Sequence, residues 1–154
     1  VDQAVATSYY HWFFLSQPAD LPERLIGADP AYFIETTLER WSGPDHTFSA
    51  DVLAGYVAAF TPEAIHASCE DYRAAATIDL AHDAHDAARQ VDCPLLVLWG
   101  TLGAMHRLYD VPQTWRECAT RVTAQGIESG HFLPEEAPVP TAEALTTFLQ
   151  EQIA

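Results

Sequence analysis

The residue best placed to do proton chemistry is His131. It stands in Ser129-Gly130-His131-Phe132-Leu133-Pro134-Glu135-Glu136-Ala137-Pro138, which follows a strand-like run, Val122–Ile127, and precedes a helix expected to begin near Thr141. Gly130 allows a sharp turn, and Pro134 and Pro138 are expected to keep regular structure from starting early. A histidine just past the carboxyl end of a strand lies at the edge where open α/β sheets hold ligands. Its imidazole titrates near neutrality and can serve as a general acid or base. A histidine that merely caps its loop would suit the same position, and position alone leaves both readings open.

Other chemistry-bearing groups are scattered along the chain. The run Tyr9-Tyr10-His11-Trp12-Phe13-Phe14 is too dense in aromatics for a surface and reads as a buried helix end. Either it only packs, or His11 and Trp12 aim ring N–H groups into an apolar pocket, where a buried indole N–H requires a partner. Tyr72 lies on the stripe Ile65, Cys69, Tyr72, Ala76, as a core tyrosine whose hydroxyl also needs a partner. Glu70 and Arg73, three apart on the same helix, can pair. His82 and His85 share a helix face beside Asp79 and Asp86, but no further ligands are evident, so a solvated acidic face is expected rather than a metal site. Cys69, Cys93 and Cys118 are odd in number, show no metal or redox spacing, and are expected to be reduced thiols.

The elements that must position these groups change character along the chain. Residues 1–15 read as helical and 17–27 as a loop with a short helical turn. Asp29-Pro30, Ser49 and Thr61-Pro62 then mark three helix starts. Their apolar faces are Phe33, Ile34, Thr37, Leu38 and Trp41; Val52, Leu53, Tyr56, Val57 and Phe60; and the Ile65 stripe. After Val91-Asp92-Cys93-Pro94 the run 95–99 is continuously apolar, as in a parallel strand covered on both faces. Residues 100–110 form a turn, 112–120 a crossover helix with Trp115 packed, and Val122–Ile127 a second parallel strand. The last helix presents Leu145, Phe148, Leu149 and Ile153 as an amphipathic cover. Two parallel strands do not make a stable doubly wound sheet by themselves, so further strands are expected from sequence outside these residues.

Ser129-Gly130-His131-Phe132, followed by Pro134-Glu135-Glu136-Ala137-Pro138, resembles the catalytic-histidine loop of α/β-hydrolases. Pro94-Leu95-Leu96-Val97-Leu98-Trp99-Gly100 resembles the strand before it. With His11-Trp12-Phe13-Phe14-Leu15 and Glu70-Asp71-Tyr72-Arg73, the resemblance narrows to the haloacetate (fluoroacetate) dehalogenases. It covers nearly the whole chain but only the second half of such an enzyme. It implies an α/β fold fragment: a helical cap over residues 1–91, then the last two strands and helices of the core over 92–154.

By that resemblance the activity is hydrolytic dehalogenation of a small haloacid to glycolate and halide through an Asp ester, without a cofactor. His131 would be the general base, and His11, Trp12 and Tyr72 the halide donors. The nucleophile's Gly-x-Asp-x-Gly turn and the arginines that hold the substrate carboxylate find no match here and are expected upstream of Val1. The turn Gly100-Thr101-Leu102-Gly103-Ala104 carries no acid, and Asp110 is too far along to take that role, so the acid that orients the histidine is also expected upstream. The alternatives are an epoxide hydrolase or esterase of the same fold, or a non-catalytic fragment or interaction module.

Composition narrows the field further. The chain has 154 residues, 49% of them hydrophobic, and a formal net charge of −15. Every basic residue is Arg, and they are not clustered, which sets nucleic acid aside. An anionic substrate would be repelled at long range and needs local donors. No secretory segment or membrane-spanning run is visible, and a cytoplasmic protein is expected. The start at Val1 rather than Met is read as a sign of a fragment. Dimerisation of the complete protein is left open.

Overall fold

The computed structural model describes residues 3–153, which divide into two compact units: 3–40 with 47–87, and 41–46 with 88–153. The expected division at 91/92 did not anticipate that residues 41–46 group with the carboxyl-terminal part.

The first unit is helical: α1 (Gln3–Ser8), α2 (Tyr10–Leu15), α3 (Leu21–Ala28), α4 (Pro30–Trp41, whose last residue falls in the second unit), α5 (Ala50–Ala59), α6 (Pro62–Ala75) and α7 (Ile78–Asp86). The start signals work as their chemistry requires. Asp29 Oδ1 accepts the Tyr32 N–H at 3.0 Å ahead of Pro30, Ser49 Oγ accepts that of Val52 at 3.4 Å, and Thr61 Oγ1 accepts that of Ala64 at 3.3 Å. The segment read as a loop is mostly the helix α3. Pro22 sits in its first turn, where a missing N–H is harmless, and both Pro22 and Ile26 are buried. Burial of that face outweighs the weak propensity of the sequence around it.

Leu15 from α2, Ile26 from α3, and Ile65 and Cys69 from α6 form the core of this unit, with Phe14, Phe33, Phe60 and Tyr72 packed around them. The aromatic run before Leu15 is not buried as a block. His11 and Leu15 are inside, whereas Tyr10, Trp12 and Phe13 are 38%, 46% and 50% exposed. Helical periodicity turns only every third or fourth side chain inward, whatever the density of aromatics.

Arg73 links α6 to the elements before it. Its guanidinium grips both oxygens of Glu23 at 2.7 and 3.0 Å, reaches Glu70, and donates through Nε to the Gln17 carbonyl at 2.8 Å. Its hydrogen bonds hold the Glu23 carboxyl down at a pKa of about 2.

The second unit carries β1 (Leu95–Gly100), α8 (Ala104–Leu108), α9 (Val111–Cys118), β2 (Val122–Ile127), α10 (Leu133–Glu136) and α11 (Pro138–Ile153). β1 and β2 pair in parallel, with Leu95 opposite Val122 and Gly100 opposite Ile127, and α9 forms the crossover. Three expectations are corrected here. Residues 104–108 are helical within what was read as a plain turn. Trp115 is 42% exposed on α9 instead of packed. Pro134 and Pro138 open α10 and α11 rather than delaying regular structure to Thr141, because proline is tolerated in a helix's first turn. The sheet-facing stripe of α11 is also not the expected one. Thr141 and Ala144 are buried and Phe148 partly so, while Leu145, Leu149 and Ile153 are exposed at 46%, 56% and 85%.

Backbone approaches backbone closely at the tips of these strands. A Cβ on Gly100 would collide with the carbonyls of Ser129 and Gly130, and one on Gly130 would collide with the backbone of Trp41, Ser42 and Gly43. No glycine among the described residues has positive φ, so Gly130 is needed for close approach and not for the turn conformation expected of it.

Two stability outcomes follow from this packing. Gly27→Ala, in α3 with open space around it, should stabilise the protein by about 0.5–1 kcal/mol. Gly100→Ala should cost about 3 kcal/mol. Chemical denaturation of both variants checks the pair, and equal effects would contradict the close approach at Gly100. Glu23 is the second case. Its folded pKa lies below its ordinary 4.5, so its contribution is complete above that pH and is lost as pH falls through about 2. Glu23→Gln should therefore lose stability at neutral pH and flatten the melting-temperature profile between those values; parallel profiles would contradict this.

Candidate active site

In the second unit, His131 follows the tip of β2. Three successive backbone N–H groups of its loop are all satisfied. The Gly130 N–H donates to Glu136 Oε2 at 2.7 Å, that of His131 to the Trp41 carbonyl at 2.8 Å, and that of Phe132 to Glu136 Oε1 at 2.9 Å. Glu136 Oε2 also accepts the Gly43 N–H at 2.7 Å. One carboxylate therefore joins the histidine loop to residues 41–46. The turn after β1 joins them as well, through the Leu102 N–H to the Ser129 carbonyl at 3.0 Å.

The His131 ring itself stands open to solvent on one side, flanked edge-on by Trp41 at 5.2 Å and Phe132 at 5.1 Å between ring centres. Desolvation against this surround lowers its pKa from the ordinary 6.5, and the Glu136 charge acts in the opposite direction. The ring is therefore neutral at pH 7, the form a general base requires. Among the described residues no carboxylate hydrogen-bonds to it. Asp110 caps α9, accepting the Gln113 N–H at 3.0 Å, which gives it a structural task of its own. Burial pushes the Glu136 carboxyl upward, but its three backbone donors, with His46 nearby, hold it below the ordinary range. In the sequence reading Glu136 carries no role of its own and Trp41 only a place on the apolar face of its helix. Glu136 could have been noticed as an acid five residues beyond the histidine; nothing in the sequence pairs Trp41 with His131.

In the first unit, the structure brings His11, Trp12 and Tyr72 together. Both other rings stand edge-on to Tyr72, His11 at 5.7 Å and Trp12 at 5.6 Å, each at an interplanar angle of 89°. α2 supplies the first two residues and α6 the third, and α2 and α6 pack directly. Tyr72 leans on the core, and its pKa is raised by desolvation and then by Asp71, so the hydroxyl keeps its proton. His11 is buried, and neither the Trp12 indole N–H nor the Tyr72 hydroxyl hydrogen-bonds to another described residue.

His82 and His85 lie exposed along α7. The ligand-type groups that converge among the described residues are instead Glu23, His66 and Glu70. There the Arg73 guanidinium already bonds both carboxylates, at the position a cation would take. Cys69 is buried, Cys93 and Cys118 are exposed, and all three are free thiols. No helix among the described residues is long and apolar enough to cross a membrane.

No family model matches the chain. A curated protein named fluoroacetate dehalogenase, from Burkholderia sp, is 42% identical over 98% of the chain. A solved structure from Nostoc sp PCC 7120, provisionally called an α/β hydrolase, superimposes with a TM-score of 0.91 at 53% identity over 97% of the chain and 52% of its own. One from Pseudomonas aeruginosa, provisionally called an epoxide hydrolase, gives a TM-score of 0.88 at 40% identity over 98% of the chain and 51% of its own. The chain spans about half the length of the curated relative it matches. By sequence and fold together, it belongs to the α/β-hydrolases, as the carboxyl-terminal part of that fold, with a protein named fluoroacetate dehalogenase among its relatives.

Proposed function

We propose that the protein to which these residues belong hydrolyses haloacetates. A carboxylate nucleophile outside residues 1–154 attacks the carbon bearing the halogen, forming an ester as the carbon–halogen bond breaks and halide leaves. His131 then takes a proton from water, whose oxygen attacks the ester carbonyl; hydroxy acid departs and the carboxylate is restored. The observation that carries this reading is the contact of His11 and Trp12 with Tyr72, three rings that bear N–H or O–H groups in one aromatic cluster. Such donors suit a small halide, which is costly to strip of water without several hydrogen bonds. A neutral His131 and the Burkholderia relative's name support the same chemistry.

An epoxide hydrolase is the second reading, favoured by the protonated Tyr72 hydroxyl, which can donate to a ring oxygen, and by the Pseudomonas relative's name.

Two experiments on the full-length protein test the roles. With His131→Asn, about one halide per site should be released from chloroacetate, after which turnover stalls and mass spectrometry finds the ester on a carboxylate. Loss of that first-turnover halide with substrate binding intact would remove His131 from this step. For Trp12→Phe, which keeps the ring but loses the N–H, single-turnover halide release should slow by roughly 30–150-fold, the equivalent of about 2–3 kcal/mol. The effect should be larger for fluoroacetate than for chloroacetate. Equal slowing of both, with a lowered melting temperature, would make Trp12 a packing residue.

A further inference from the structure

We propose that Glu136 is a positioning residue for His131, setting the ring's place through the backbone on either side of it. The proposal rests on the reading of His131 as the base of the second step.

The geometry is specific. Glu136 lies at the end of α10, one helical turn past the histidine, so its side chain can reach back over the loop. It accepts the N–H groups of Gly130 and Phe132, the residues immediately before and after His131, and leaves the N–H of His131 itself to the Trp41 carbonyl. One carboxylate thus fixes the peptide that follows the histidine Cα and the peptide that precedes Gly130, while the Trp41 carbonyl holds the peptide between them. Its third bond, to the Gly43 N–H, fixes the strand of chain that carries Trp41, the ring set edge-on to His131. The histidine's backbone and one wall of its ring are referred to the same pair of oxygens.

Charged acceptors form short, strong bonds to backbone N–H groups. Here one carboxylate accepts all three. At Gly130 the backbone of residues 41–43 leaves no room for a side chain, and at Gly43 a Cβ would stand 3.0 Å from Glu136 Oε2 itself. In the proposed mechanism the first chemical step does not use His131, so a clamp that acts through this histidine should leave that step unchanged. It should matter where the imidazole must meet a water and an ester carbonyl together, because misplacement by about 1 Å can cost roughly 100-fold.

The amide variant separates positioning from folding. Glu136→Gln can keep one oxygen for Gly43 and Gly130, which share Oε2, but it turns an N–H₂ toward the Phe132 N–H. In the full-length enzyme, first-turnover halide release from chloroacetate should stay within about twofold of wild type. Steady-state turnover should fall by roughly 10–100-fold, with the enzyme ester accumulating. Glu136→Ala should show the same split more severely; if it does not fold, the amide variant alone decides. Equal slowing of halide release and turnover, or no slowing of either, would overturn the proposal. His131→Asn run in parallel keeps the two readings apart. Ester accumulation there but not in Glu136→Gln sinks only the positioning role, whereas unimpaired turnover in His131→Asn sinks the general-base reading beneath it.

Discussion

Three consecutive peptide N–H groups at Gly130, His131 and Phe132 must find acceptors in a place where backbone already crowds backbone. Much of the second unit depends on how that requirement is met. Buried amides left without partners are costly, of the order of a lost hydrogen bond each. Here a single Glu136 carboxylate takes two of them and a Gly43 amide besides, while the Trp41 carbonyl takes the third. The arrangement is possible because Gly43, Gly100 and Gly130 lack side chains where the chain segments meet. It also explains why residues 41–46, distant in sequence, group with the strands and not with the helices on either side of them.

The first unit solves a comparable problem with a cation. Arg73 holds Glu23, Glu70 and the Gln17 carbonyl, tying α6 to α3 and to the turn that follows α2. Those helices carry the Leu15, Ile26, Ile65 and Cys69 core against which Tyr72 rests. The aromatic triad is therefore a by-product of helix packing that the ion pair holds in place. His11 turns inward with Leu15 by helical period, and Trp12, one residue on, is left at the rim beside Tyr72. On the proposed reading, such a cluster, half open to solvent, lets an anion enter and leave.

On the proposed reading, a base and a set of anion donors are complementary functions. The first needs a neutral imidazole, which desolvation by Trp41 and Phe132 favours. The second needs a hydroxyl that keeps its proton, which the partial burial of Tyr72 favours. Both shifts come from apolar surroundings acting on groups whose charged forms are not wanted, in a chain whose net charge of −15 would otherwise repel anions.

Much of this was legible from the residues alone. Apolar runs, period-3.6 patterning, cap residues and proline positions located β2, the starts of α4, α5 and α6, and the strand 95–99, because those features act over a few residues of chain. The same local logic placed His131 past a strand end and Tyr72 on an inward stripe. It failed where the decision lay in the third dimension. Pro134 and Pro138 read as breakers but open helices, α3 forms because Pro22 and Ile26 are buried, and α11 presents Ala144 and Phe148 to the sheet rather than its leucines. The pairing of Glu136 with Gly43, the edge-on contact of Trp41 with His131 and the reach of Arg73 to Glu23 span roughly a third of the chain or more in sequence, and no periodicity encodes them. Such contacts exist only once folding has brought distant backbone within hydrogen-bonding range, so only the tertiary structure could decide them.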